Sequence, residues 1–198
     1  MIGQEQIATI HGWLTVTNRH TGERLQMRRI LRDGEMCLEL KGTLPPNQAG
    51  PPLHIHFKEH EEGTVIAGTL AAEVDGVTMR VEQGGVVRLP MGSVHRWWNG
   101  GTETLQFDGF ARPAVDLDQF LSATFDVLNS GSARRPPIFY MAHLLWRHRK
   151  TQTLLIPPRW VQAVVFPTIV LVGTLLGRYR GTGWPGSPDR FPAAPLVS

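Results

Sequence analysis

Three turn dipeptides, Asp33-Gly34, Asp75-Gly76 and Asn99-Gly100, sit between short runs in which apolar and polar side chains alternate. Asp-Gly and Asn-Gly adopt the positive φ values that a tight hairpin needs. Alternation with a period of two marks a strand with one wet face and one dry face. The runs cover residues 6–18, 24–31, 35–42, 64–74, 77–82, 86–89, 94–98 and 104–110. In the third, Met36, Leu38 and Leu40 alternate with Cys37, Glu39 and Lys41. Short strands at this spacing predict an antiparallel sandwich or barrel. Beyond Pro113 the period changes to about 3.6 residues, and helices are expected.

Two segments of the β region carry the chemistry. In Leu53–Glu62 (LHIHFKEHEE), His54 and His56 lie two apart, so strand geometry turns both imidazoles to one face. In Gly84–Asn99 (GGVVRLPMGSVHRWWN), His95 follows a Pro90-Met91-Gly92 turn. Three imidazoles and one carboxylate converging inside a sheet would hold a divalent transition metal and leave positions open for water, dioxygen or a chelating substrate. The carboxylate could come from Glu61 or from Glu59 or Glu62 in the same loop, where His60 is a further donor. By parity with His95, Trp97 faces the ligand side, where it walls a pocket or simply fills the core. Phe57, Met91 and Phe107 are further candidates for that wall. Arg80, Arg88 and Arg96 are near in sequence, but solvation on a strand surface is their commoner fate.

The spacing His-x-His, four residues, Glu, six residues, Gly is met by His54, His56, Glu61 and Gly68. Gly, five residues, Pro-x-Gly, two residues, His, three residues, Asn is met by Gly84, Pro90, Gly92, His95 and Asn99. This pair of motifs resembles the cupin superfamily over residues 35 to 111. One departure is that the leading Gly of the first motif should stand at 48, which is Gln48, with Gly50 two places late. The resemblance implies a jelly-roll barrel over residues 1–113. It also implies that His54, His56, Glu61 and His95 ligate a metal (iron, manganese, nickel, copper or zinc), with Glu61 balancing charge or shuttling a proton. The expected role is oxygenase- or isomerase-like action on a small oxygenated molecule. The alternative is a small-molecule binding module without catalysis.

Charge separates the chain into two parts. Residues 1–126 hold 11 Lys+Arg against 16 Asp+Glu, whereas residues 127–198 hold 9 against 1, with no acid between Asp126 and Asp189. Such a basic C-terminal part points to an anionic partner such as a phospholipid surface. Nucleic acid is disfavoured, because the arginines flank apolar helices rather than a polar recognition face. Cys37 is the single cysteine, so no intrachain disulfide exists, and it reads as a packed apolar residue. The N-terminus lacks the basic and apolar regions of a secretory signal, and a cytoplasmic location is expected. No Gly-x-Ser-x-Gly elbow, phosphate-binding Gly-Lys loop or dinucleotide fingerprint competes with the histidine site.

Residues 114–180 read as a helical extension and 181–198 as an irregular tail. The first helix carries the stripe Leu117, Phe120, Leu121, Phe125 and Leu128, with Asp116 as expected N-cap and Gln119 three residues on. The second runs from Ile138 to Trp146. The third begins at Pro157-Pro158, and residues 160–177 carry no charge, with Trp160 and Tyr179 at its ends. Eighteen residues at ~1.5 Å each reach about 27 Å, against a bilayer core of about 30 Å. Three fates stay open: covering a barrel face or a homodimer interface, lying on a membrane through 157–180, or spanning it.

Overall fold

The computed structural model describes residues 7–9, 12–132 and 137–190. The expected strand start at Gln6, the Arg134-Arg135-Pro136 run and the last eight residues lie outside these. The chain divides into two compact units at the Val115–Asp116 peptide.

Among the described residues the first unit is built of antiparallel strands. They are β1 (Ile7–Thr9), β2 (Leu14–Thr17), β3 (Arg24–Arg32), β4 (Glu35–Leu44), β5 (His54–His56), β6 (His60–Ala67), β7 (Leu70–Val74), β8 (Val77–Val81), β9 (Val86–Leu89), β10 (His95–Asn99) and β11 (Leu105–Arg112). One sheet runs β1-β3-β4-β11-β6-β9, with β2 also paired to β3. The second runs β5-β10-β7-β8. This is the jelly-roll arrangement expected for a mainly β chain followed by helices.

Register explains the core. Leu38, Leu40 and Leu44 on β4 stand opposite Ala111, Gly109 and Leu105 on β11. Val65 on β6 stands opposite Phe107. Leu38, Leu44, Val65, Leu105 and Ala111 are all at most 1% exposed. Each buried leucine contributes about 1.5–3 kcal/mol relative to an exposed one. The alternate residues, among them Glu39, Lys41, Glu62 and Arg88, face out, where Arg28 pairs Glu39 and Arg88 pairs Glu62 at 2.9 Å. Arg29 lies on the inner face, 9% exposed, and donates to the carbonyls of Ala114 and Val115, both at 3.0 Å, which fastens the end of the unit.

Three sequence expectations are corrected here. Residues 64–74 are two strands: Gly68 takes φ +78, and a Cβ there would lie 2.9 Å from the Thr104 carbonyl oxygen. That corner passes the chain from the first sheet to the second. Asn99-Gly100 is a crossover between sheets. Asn99 organises it by donating to the Leu44 and Glu103 carbonyls and accepting from Gly101 N–H. The run 6–18 is interrupted, β1 and β2 pairing with separate stretches of β3. The hairpins at Asp33-Gly34 and Asp75-Gly76 form as expected, with all four residues at positive φ.

The second unit holds α1 (Leu117–Ser130), α2 (Ile138–Arg147), a short extended segment β12 (Gln152–Leu154) and α3 (Arg159–Leu175). Ala123, Val127 and Leu144 form its core, with Phe120, Tyr140 and Met141 packed around them. Asp116 does not cap α1 through its side chain. Its carboxylate instead takes His148 Nδ1–H at 2.6 Å and the Thr151 hydroxyl at 3.0 Å, partners more than thirty residues away. Residues 181–190 of the tail, which end in a 3-10 turn at Pro188–Arg190, dock on the helices. Gly186 N–H donates to Asp126 at 2.6 Å, and Trp184 stacks on Tyr140. Among the described residues no helix is long and apolar enough to cross a membrane, so the spanning fate of 160–177 is not met; α3 stops at 17 residues.

Candidate metal centre

Cross-strand pairing assembles the site. His95 on β10 stands directly opposite His54 on β5, with ring centroids 4.4 Å apart. His56, two residues along β5, projects from the same face, 4.8 Å from His54 and 5.5 Å from His95. The turn before β10 fixes its phase. Gly92, at φ +83, donates its N–H to the His56 carbonyl at 2.7 Å, and Ser93 N–H and Oγ–H both reach the Pro90 carbonyl. Glu61 enters from the other sheet, on β6, at an inward position between Ala111 and Leu89. One donor atom from each of His54, His56, Glu61 and His95 lies within 4.8 Å of every other.

Hydrogen bonds set the ring orientation. His54 Nδ1–H donates to the Pro52 carbonyl at 2.8 Å, and His95 Nδ1–H to the Ser93 carbonyl at 3.1 Å. Each ring therefore turns Nε2, with its lone pair, inward. Glu61 Oε2 is 3.6 Å from His56 Nε2 and 3.5 Å from His95 Nε2. Two metal bonds of about 2.1 Å at a tetrahedral angle span about 3.4 Å, so a shared ion asks for almost no rearrangement of these pairs. His95 is wholly buried, and its Nε2 has no hydrogen-bond partner. A buried lone pair left over beside a carboxylate fits a bound cation. The group is able to hold a metal ion; imidazole and carboxylate donors do not choose among iron, manganese, nickel, copper and zinc.

Electrostatics agree with that donor set. Burial, reinforced by the imidazoles of His56 and His95, pushes His54 down to about 3 against the opposing Glu61 and Pro52 carbonyl. Burial acts to raise the Glu61 carboxyl, but His56, His95 and His54 outweigh it and hold it down to about 2. At neutral pH His54 is thus a neutral donor and Glu61 an anion, the protonation states that ligation requires.

The other candidates separate clearly. Trp97 and Phe107 meet edge to face with centroids 5.0 Å apart. Phe57 is half-buried just after β5, and Met91 stands 48% exposed in its turn. His60 is exposed and accepts Met91 N–H at 3.2 Å, which removes it as a rival ligand. Arg96 pairs with Glu73 at 2.6 Å, Arg88 with Glu62 at 2.9 Å, and Arg80 is exposed, so all three are strand-surface residues. Gly50, displaced from its motif position, has its own purpose: a Cβ there would lie 2.4 Å from the Trp97 carbonyl oxygen. Glu59 is the residue that sequence spacing undervalued. It is 1% exposed, with Oε2 3.9 Å from His56 Nδ1. A hollow of about 490 Å³ is walled chiefly by outward positions such as Arg32, Glu62, Arg88 and Arg112; Glu61 is the one group it shares with the cluster.

The chain is similar to known proteins over the stretch that carries these residues. Residues 40–108 match the family described as "Cupin domain". Over 79 residues the chain is 38% identical to "Oxidoreductase iacF" of Pestalotiopsis fici, covering 38% of this chain and 39% of that protein. Over 145 residues it is 30% identical to "Probable oxidoreductase virH" of Hypocrea virens, covering 65% of this chain and 64% of that one. The chain thus spans under two thirds of the length of either relative. Among solved structures, the oxalate decarboxylase of Lactobacillus farciminis in complex with formate aligns at 16% identity and TM-score 0.43, covering 52% of this chain and 32% of that one. With both histidine motifs folded into one four-donor cluster, residues 40–108, the stretch that the domain match covers, form a cupin domain.

Proposed function

We propose that this cupin is a metal-dependent enzyme of the oxidoreductase type, acting on a small oxygenated molecule. The observation that carries this is the convergence of four donors, with His95 Nε2 buried and unpartnered. The names of the two curated relatives support the oxidoreductase class. His54, His56, Glu61 and His95 would hold the ion, and the ion would supply a Lewis-acidic centre with open positions for an oxygen-bearing substrate. The Pro52 and Ser93 carbonyls fix the Nδ1–H tautomers of His54 and His95. Glu61, the most exposed of the four at 19%, is the ligand placed to exchange a proton with a substrate. Trp97 and Phe107 wall the neighbouring space and exclude water. Domain limits of 1–113 for the barrel, 114–180 for the helical extension and 181–198 for the tail belong to this proposal. The test is elemental analysis of the purified full chain, followed by metal-dependent turnover of candidate hydroxy-, oxo- and carboxylate compounds. One transition-metal ion per chain, lost in the His54→Ala/His56→Ala variant, is expected. Equal metal content in both proteins overturns the ligand assignment.

A second proposal, a non-catalytic binding cupin held at a membrane surface, is favoured by α3. This helix buries Gln162 and exposes Trp160 at 76%, Val164 at 65%, Leu171 at 60% and Leu175 at 75%. Gln162 is satisfied by the Leu154 and Pro157 carbonyls and the Thr153 hydroxyl. The apolar stripe thus points outward, flanked by Arg159, Arg178 and Arg180. Two copies would bring like charge together at this face, whereas an anionic phospholipid surface complements it. Co-sedimentation with phosphatidylserine vesicles but not phosphatidylcholine vesicles, lost in Trp160→Ser/Leu171→Ser, is the expected outcome. A concentration-dependent dimer without vesicle binding would replace the membrane with a second copy.

A further inference from the structure

We infer that Glu59 is the outer carboxylate of the metal centre: it accepts the Nδ1–H of His56 and supplies the second negative charge that neutralises a divalent ion. This rests on the metal-binding proposal above. The three imidazoles follow one plan. His54 and His95 turn Nε2 inward and anchor Nδ1–H on the backbone carbonyls of Pro52 and Ser93. His56 turns Nε2 toward Glu61, so its Nδ1 faces the opposite way, where Glu59 Oε2 lies at 3.9 Å. Glu59 occupies the position that a carbonyl occupies for the other two rings, and it brings a charge.

Burial gives the arrangement its force. Glu59 is 1% exposed, and neither carboxylate oxygen has a hydrogen-bond partner. A buried ionised carboxylate is costly unless it is paired. The gap of 3.9 Å is too short for a bridging water, which needs about 4.5 Å or more between the groups it joins, and about 1 Å longer than a charge-assisted hydrogen bond. A small tilt of the His56 ring closes it, and ligation at Nε2 strengthens the Nδ1–H as a donor. Charge closes as well. A divalent ion brings two positive charges, three neutral imidazoles bring none, Glu61 brings one negative charge and Glu59 the other. Neither neighbour can substitute, since Glu62 is paired with Arg88 and His60 is exposed.

The test uses the full chain stripped of metal and titrated with Zn²⁺ or Mn²⁺ alone against a competing chelator. Glu59→Gln is expected to weaken binding roughly 10–100-fold, the usual effect of losing an outer-shell partner. The same substitution should leave the metal-free protein equally or more stable, because it removes a buried charge; a purely structural Glu59 would show the reverse. Nitrogen-15 NMR of the Zn²⁺-loaded wild type should show a slowly exchanging His56 Nδ1–H, lost in Glu59→Ala, which has no acceptor. Unchanged affinity in Glu59→Gln, with Glu61→Gln strongly weakened, overturns the role of Glu59 and leaves the metal centre standing. Unchanged affinity in both Glu61→Gln and His95→Ala removes the metal centre and this role with it. Should Glu59→Gln fail to fold, the wild-type His56 signal decides alone: a rapidly exchanging Nδ1–H overturns the inference.

Discussion

Gly42→Ala is a single-methyl probe of how tightly the barrel interior beside the site is packed. Gly42 on β4 stands directly opposite Phe107 on β11. A Cβ added there would fall 2.1, 2.4 and 2.7 Å from three atoms of the Phe107 ring, where ordinary contact begins near 3.4 Å. The ring must therefore move by about 1 Å, and Trp97, its edge-to-face partner at 5.0 Å, resists that. Overpacking of this kind costs about 1–3 kcal/mol, and disturbing the aromatic pair adds about 0.5–1.5 kcal/mol. The expected loss is about 2–4 kcal/mol in the denaturant unfolding free energy of the metal-free chain, with a changed near-ultraviolet tryptophan signal. Phe107→Leu shortens the offending ring, so Gly42→Ala/Phe107→Leu should be less destabilised than the sum of the two single variants by at least about 1 kcal/mol. A single variant costing under about 0.5 kcal/mol, or strict additivity, would refute the packing account of Phe107 and Trp97.

Lowering the pH should destabilise the metal-free barrel. His54 is depressed to about 3 in the folded chain, so the unfolded chain takes up a proton below about 6.5 that the folded one refuses. Stability then falls toward pH 3 by up to about 1.4 kcal/mol per unit. Glu61, depressed to about 2, acts in the same direction: its contribution is present above 4.5 and lost as pH falls through 2. Glu23, raised to about 7 by burial, works in the opposite sense, so the measurement is the slope of wild type minus that of His54→Asn, expected to be positive. Adding a bound metal at a hundredfold excess over its dissociation constant should stabilise wild type by about 2.7 kcal/mol and His95→Ala by nothing measurable, read by thermal unfolding. In the second unit, Asp116→Ala strips His148 and Thr151 of their acceptor. It should cost about 1–3 kcal/mol, with amide protons at the end of α2 exchanging faster.

The parts of this fold that local chemistry controls were legible in the sequence. Asp33-Gly34 and Asp75-Gly76 became hairpins because their residues accept the positive φ the turn imposes. His54 and His56 share a face because strand geometry has no alternative, and His95 met them across a ladder that the Gly92 turn sets in phase. What escaped were features decided by distant residues. Gly68 sits inside an apolar run that reads as one strand; only the approach of Thr104 and Leu105 makes it a corner between sheets. Asp116 has the composition of a helix cap, yet His148 and Thr151 outbid the nearby backbone for its oxygens. A charged hydrogen bond in a partly buried setting is roughly twice as strong as a neutral one, which decides that competition.

Glu59 shows the same limit at the site itself. Four acidic or imidazole side chains occur between Glu59 and Glu62, and motif spacing singles out Glu61, which alternation then confirms as an inward position opposite Ala111 and Leu89. Alternation also turns His60 and Glu62 outward. It has nothing to say about Glu59, which precedes β6 and is buried by the course of the loop rather than by strand parity. Its i,i+3 relation to His56 is visible in the sequence, but a carboxylate three residues past a histidine is ordinarily a solvated charge. Burial to 1% is what changes its meaning, because a desolvated carboxylate must find a counter-charge or a strong donor, and His56 backed by a divalent ion would offer both.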